Sequence, residues 1–197
     1  MNNFIHEDYM SDLTVCDDLV KWFHSNKKLH KPGGFSDSGV VNHKLKKSTD
    51  FIFDFKDVDK ETGNSYAEEL QTILERYVEV YGFLNKLSFF KIIETVQIQY
   101  YKPFEGYRTI HCERSGIEST INRHLAFQTY LNTVEDGGET EFIYQRYKCK
   151  AVKGKTLIWP VEWTHSHRGI VSPTEDKYIL TGWYSFYDKV LGKWDEE

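Results

Sequence analysis

The chain is expected to fold as a mainly β protein of the α+β class: a double-stranded β-helix (jelly roll) with N-terminal helices packed on one of its sheets. Three observations predict this. Amphipathic helical stretches are confined to the first 90 residues; from about residue 89 the texture changes to short runs rich in β-branched and aromatic residues; and PFEG, EDGGE, KGK and SPTED punctuate those runs as turns. Short antiparallel strands that follow helices suit a jelly roll with helical cover on one face. At 197 residues the chain is a little over one typical domain length, so one domain is expected over 1–197, with helical support to about 90 and a core over about 91–190.

Residues 14–24 (TVCDDLVKWFH) place Val15, Leu19, Trp22 and Phe23 at helical spacing, with Thr14 as N-cap and Asp17 three residues later. Residues 31–50 are rich in Gly, Ser, Asp and Lys without periodicity, which predicts a surface loop whose KLKK run is solvated charge and whose Gly33, Gly34 and Gly39 could hinge a lid. A second helix follows in SYAEELQTILERYVEVYGFL. Ser65 and Glu68 form a capping box there, Tyr66, Leu70, Ile73, Leu74, Tyr77 and Tyr81 share a face, and Gly82 suits the end. Strands are expected near 94–101, 107–113, 123–132, 138–144, 147–152, 154–159, 165–170 and 177–187.

Composition narrows the function classes. No apolar run approaches the ~18 to 20 residues of a membrane span and no basic-then-apolar leader opens the chain, so a soluble, non-secreted protein without a membrane partner is expected. Cys16, Cys112 and Cys149 are odd in number and unrelated in spacing, which supports neither a disulfide framework nor a CxxC zinc site and fits a reducing cytoplasm. A net charge of −5 argues against a nucleic-acid partner held by phosphate neutralisation.

The chemistry lies between Tyr101 and Trp183. In a strand, alternate side chains share a face, so His111 and Glu113 would approach one ion from the same side while Cys112 points away. An HxE pair alone is a common accident. A third ligand must come from a neighbouring strand, and THSHRG offers His165 and His167, which alternation alone does not separate. The spacing of ten to Lys177 favours His167, leaving His165 as a surface or supporting histidine. Two histidines and one carboxylate form the facial triad of non-heme Fe(II) oxygenases, with three coordination positions open. Lys177 shares a strand face with Ile179, Thr181 and Trp183, and a lysine in such a place needs a carboxylate, either from this chain or from a ligand.

On these residues the chain resembles the 2-oxoglutarate- and Fe(II)-dependent oxygenases of the prolyl 4-hydroxylase-like branch, particularly small members found in bacteriophages. RHLAFQTYLN and GGETEF match family segments, and the resemblance covers about 96–187. It implies Fe(II) on His111, Glu113 and His167, and the C5 carboxylate of 2-oxoglutarate on Lys177. It further implies that Tyr101 and Tyr130 hydrogen-bond the cosubstrate and that Thr181 and Trp183 line its pocket. The implied reaction consumes O2, with ascorbate as a supporting reductant, releases succinate and CO2, and hydroxylates a peptide or protein residue such as proline. A phage-encoded chain would act in the host cytoplasm. Glu113 departs from the commoner aspartate, and of the glycine-rich approach to the first histidine only Gly106 remains, in PFEGY. Two rivals are a cupin-type metalloenzyme, which usually carries HxH where HCE stands here, and a non-catalytic binding module, which would be expected to have lost a ligand or the lysine.

Overall fold

The computed structural model describes residues 3–34 and 41–187. Its strands are β1 (His6–Tyr9), β2 (Lys31–Pro32), β3 (Lys46–Lys47), β4 (Thr49–Phe53), β5 (Phe90–Lys91), β6 (Val96–Tyr101), β7 (Gly106–Tyr107), β8 (Arg123–Tyr130), β9 (Thr140–Phe142), β10 (Tyr147–Cys149), β11 (Lys155–Pro160), β12 (His167–Gly169) and β13 (Lys177–Phe186). Two α-helices, α1 (Thr14–Ser25) and α2 (Lys60–Val80), precede β5. The major sheet runs β1-β11-β8-β13-β6-β4-β2, with β5 added to the end of β13; a minor sheet runs β10-β9-β12, and β3 pairs β7. Every pairing is antiparallel. This is the expected jelly roll.

Alternation along the major strands builds two cores on opposite faces. Ile98, Leu125, Phe127, Ile158 and Leu180 point outward and pack with Val15, Leu19 and Phe23 of α1 and with Tyr66, Leu70 and Ile73 of α2. Tyr101, Ala126, Tyr130, Leu157, Trp159 and Ile179 point inward, against Phe142 of the minor sheet. The helices therefore brace the back of the sheet whose front carries the cleft.

Several local expectations are corrected. Helix α2 begins at Lys60, capped by the Asp59 carboxylate accepting from Thr62 N–H at 3.0 Å, so Ser65 and Glu68 lie inside the helix rather than at its start. Gly63, a poor helix former, lies in the first turn, where a Cβ would come within 3.1 Å of the Phe55 carbonyl; close packing overrides poor propensity. The helix ends at Val80, and Gly82 opens a 3-10 turn. Thr14 is the first helical residue of α1, and Asp12 receives its N–H and hydroxyl at 2.8 and 2.7 Å.

The stretch 31–50 is not wholly loop. It contains β2 and β3 and the start of β4, and Lys46 is buried against the Asp50 carboxylate at 2.7 Å, with Ser48 Oγ donating to the same carboxylate at 2.7 Å. A polar alternating face reads as solvated because nothing in a single sequence marks the buried ion pair. Gly39 lies outside the described residues. Nor do 107–113 and 165–170 form full strands: β7 stops at Tyr107, and His165 closes a 3-10 turn before β12 begins.

Candidate active site

His111 and His167 meet through the backbone. An isolated bridge pairs them, with His111 N–H donating to the His167 carbonyl at 3.0 Å and His167 N–H returning to the His111 carbonyl at 2.9 Å. Glu113 is carried one step further by its N–H, which donates to the Val161 carbonyl at 3.1 Å. Convergence of the three side chains thus comes from a cross-strand bridge rather than from the regular strand expected at 107–113.

Their ligand atoms lie within 4.8 Å of one another. Glu113 Oε1 is 3.5 Å from His111 Nε2 and 3.2 Å from His167 Nε2. Each imidazole turns its Nδ1 to a backbone carbonyl, His111 to Thr109 and His167 to His165, both at 2.9 Å. A carbonyl only accepts, so Nδ1 carries the hydrogen in each ring and Nε2 presents a lone pair. Burial, and then the neighbouring His167, push the His111 pKa down and favour its neutral form. Burial acts to raise the Glu113 pKa, but when either ring takes up a proton its Nε2–H and positive charge face the carboxylate, and this interaction with His111 and His167 holds the carboxyl well below its usual range. Two lone pairs facing an ionised carboxylate oxygen repel one another unless a cation lies between them. Two imidazole nitrogens, one carboxylate oxygen and fixed outer tautomers suit Fe(II) with open positions.

Aromatic rings hold this arrangement. Tyr107 stacks on His111 at 3.8 Å between centroids, while Phe142 and Trp159 flank His167 at 5.4 and 5.1 Å. The three residues sit in a cleft of about 890 Å³ that also receives Tyr101, Lys177, Thr181 and Trp183.

Lys177 faces this cleft from β13, directly opposite Tyr101 in register. Its buried Nζ donates to the Gly138 carbonyl at 3.0 Å and lies 5.1 Å from the Tyr101 ring centroid. Gly137 and Gly138 both adopt positive φ, +83° and +79°, which turns that carbonyl towards the lysine without the strain another residue would carry. Among the described residues no carboxylate lies within ion-pair distance of Nζ, in contrast to Lys46 on Asp50. Burial pushes its pKa down from 10.5 to about 8, with Glu139 pulling weakly the other way.

The remaining expected residues divide. Tyr101 lines the cleft and donates its hydroxyl to Gln99 Oε1. Thr181 lines it too, donating to the Phe127 carbonyl at 2.8 Å. Trp183 Nε1 donates to Glu113 Oε2 at 2.8 Å. Tyr130 lies fully buried behind the wall: its hydroxyl is taken up by Thr140 Oγ1 at 2.7 Å and accepts Thr140 N–H at 3.1 Å, so Thr140 and Gln128 reach the cleft in front of it. His165 points away, with Nε2 3.0 Å from the Asn3 carbonyl, and serves His167 only through its own backbone oxygen. Sequence reasoning passed over Gln97 and Gln99, although their alternation with apolar neighbours in VQIQYY signalled a polar face on β6.

The sequence model of the 2OG-Fe(II) oxygenase superfamily matches residues 96–185. Solved structures share the whole architecture. A viral collagen prolyl hydroxylase from Paramecium Bursaria Chlorella virus-1 superimposes with a TM-score of 0.68 at 17% identity, covering 93% of this chain and 97% of that one. A Pseudomonas putida prolyl-4-hydroxylase gives 0.68 at 13%, covering 94% of each chain. A Trichoplax adhaerens prolyl hydroxylase, solved with a peptide fragment of the hypoxia inducible factor oxygen degradation domain, gives 0.72 at 12%, covering 93% and 84%. No curated protein sequence matches the chain.

Proposed function

The chain carries a 2-oxoglutarate- and Fe(II)-dependent oxygenase domain on a prolyl 4-hydroxylase-like fold, and from that premise we propose that it hydroxylates a residue of a peptide or protein, such as proline, with release of succinate and CO2. His111, Glu113 and His167 would hold the iron, with Nε2, Oε1 and Nε2 the atoms that face one another. Lys177 receives the C5 carboxylate of 2-oxoglutarate. When bound, the iron and the cosubstrate supply the activation of O2 that an unactivated C–H bond requires. The chain's own task is orientation, charge and exclusion of water.

Lys177 is suited to that task because its charge is buried and uncompensated by any carboxylate of the described chain. A ligand carboxylate would supply the missing partner and draw the lysine back to its charged form, in a charge-assisted hydrogen bond of short range. Tyr101 and Thr181 flank the same stretch of the cleft as walls for the cosubstrate's carbon chain. Tyr107, Trp159 and Phe142 pack on the histidine rings and keep them in place.

The observation that carries this reading is the coincidence, in one cleft, of three convergent metal donors with a buried lysine that no carboxylate among the described residues pairs. A peptide substrate is supported by the openness of the cleft and by the Trichoplax enzyme having been solved with a peptide. The test incubates the protein with Fe(II), ascorbate, 2-oxoglutarate and a proline-containing peptide library, followed by mass spectrometry. Peptides that gain one oxygen atom only when 2-oxoglutarate is present are expected. Oxygen gain confined to free amino acids or nucleobases would remove the peptide assignment.

A further inference from the structure

The structure assigns Trp183 and Arg123 as positioning residues that make Glu113 a one-oxygen ligand, an inference that rests on the iron-site reading above. The two oxygens of Glu113 have different surroundings. Oε1 faces both imidazoles, at 3.5 and 3.2 Å, whereas Oε2 accepts the Trp183 indole N–H at 2.8 Å. An indole nitrogen can only donate, so Oε2 is drawn away from the space between the histidines.

Arg123 holds both the ring and the ligand residue. Its guanidinium carbon lies 3.7 Å from the Trp183 ring centroid, and its Nη1 donates to the Glu113 backbone carbonyl at 3.0 Å. Its Nε and Nη2 donate to Glu94, at 3.0 and 2.7 Å, and Ser185 Oγ donates to the same carboxylate at 2.9 Å. One planar fork therefore links the backbone of Glu113, the ring that holds its side chain and an acid anchored on β13.

The longer side chain explains the need. A glutamate has one more rotatable bond than an aspartate, and a carboxylate free to turn could offer both oxygens to the metal and occupy a position that the cosubstrate or O2 requires. The indole N–H removes that freedom. It substitutes a hydrogen bond for the restraint that a shorter arm would provide.

Trp183→Phe keeps a ring over Arg123 and deletes only the donor. Co(II) and Mn(II) affinities, measured by competition with a chelator, should fall by about 10- to 100-fold, the usual effect of losing an outer partner of a ligand. The visible spectrum of the cobalt form should change, while the metal-free protein melts as the parent does. In a Glu113→Asp background the carboxylate stands one methylene back from the indole, so Trp183→Phe should there change metal affinity by less than about threefold, which is the non-additivity expected of a direct contact. An equal loss in both backgrounds would make Trp183 a general structural residue and overturn the proposal. If Glu113→Asp binds no metal, the cobalt spectrum of Trp183→Phe decides alone, and an unchanged spectrum overturns it. A parent protein that binds no metal sinks the iron-site reading as well; a parent that binds metal with Trp183→Phe unchanged sinks only this inference.

Discussion

Replacing Lys177 with methionine should move stability and cosubstrate affinity in opposite directions. The lysine is buried, its hydrogen-bond partner among the described residues is the Gly138 carbonyl at 3.0 Å, and burial pushes its pKa from 10.5 to about 8. At ~1.4 kcal/mol per unit, that depression corresponds to about 3 kcal/mol of unfavourable charge burial in the cosubstrate-free protein at pH 7. Methionine fills a similar volume and removes this penalty, but it leaves the Gly138 carbonyl without its donor, a loss of about 1 to 2 kcal/mol. The difference favours Lys177→Met by roughly 1 to 2 kcal/mol, or about 2 to 8 °C of melting temperature for a chain of this size. Affinity for 2-oxoglutarate should fall, because a buried carboxylate without its partner typically costs about 3 to 5 kcal/mol, two to three and a half orders of magnitude. Thermal melts in a chelator and calorimetric titration of 2-oxoglutarate into the Mn(II)-loaded protein measure the two effects. A variant that melts several degrees lower and binds 2-oxoglutarate normally would refute the reasoning, since the lysine would then be a stabilising structural residue.

Four further outcomes follow from the site and the fold. The folded pKa of Lys177 lies below its unfolded value, so this group makes the cosubstrate-free parent gain stability relative to Lys177→Met as pH rises from about 8 towards 10.5, and changes nothing below that window. Over the same rise 2-oxoglutarate affinity of the parent should weaken by up to about tenfold per pH unit, which titrations at several pH values would reveal. His111→Ala and His167→Ala should each abolish Co(II) binding, whereas His165→Ala should retain it, because only the backbone oxygen of His165 supports His167; a cobalt titration distinguishes them. Because α1, α2 and the back of the major sheet share one apolar cluster, far- and near-ultraviolet circular dichroism should report a single coincident unfolding transition, and two separated transitions would mean that the helices fold as a separate unit.

What could be read from the sequence follows the strength of local pattern. β6, β8 and β13 were legible because each is a run of β-branched and aromatic residues bounded by turn chemistry, and their period of two placed Lys177, Thr181 and Trp183 on one face, as found. The approach of His111 to His167 was not legible as a bridge, since a single pair of backbone hydrogen bonds leaves no periodic trace. Lys46, in the KLKK run, read as solvated charge because its pairing with Asp50 depends on two short strands that individually carry no signal. The early start of α2 was hidden by Gly63, whose place in the helix depends on the neighbouring Phe55 carbonyl and not on its own propensity. Tyr130 has the right strand and register to approach the cosubstrate, but Thr140 from the minor sheet stands in front of it, a fact of packing between sheets that one strand's pattern does not contain.

Succinate release from 2-oxoglutarate, compared between the Fe(II)-reconstituted parent and His167→Ala, bears most directly on whether His111, Glu113, His167 and Lys177 form one working site. The account predicts succinate well above an iron-only control for the parent and control-level succinate for the variant. A folded, iron-loaded parent that releases no more than the control, or a His167→Ala protein as active as the parent, would contradict it.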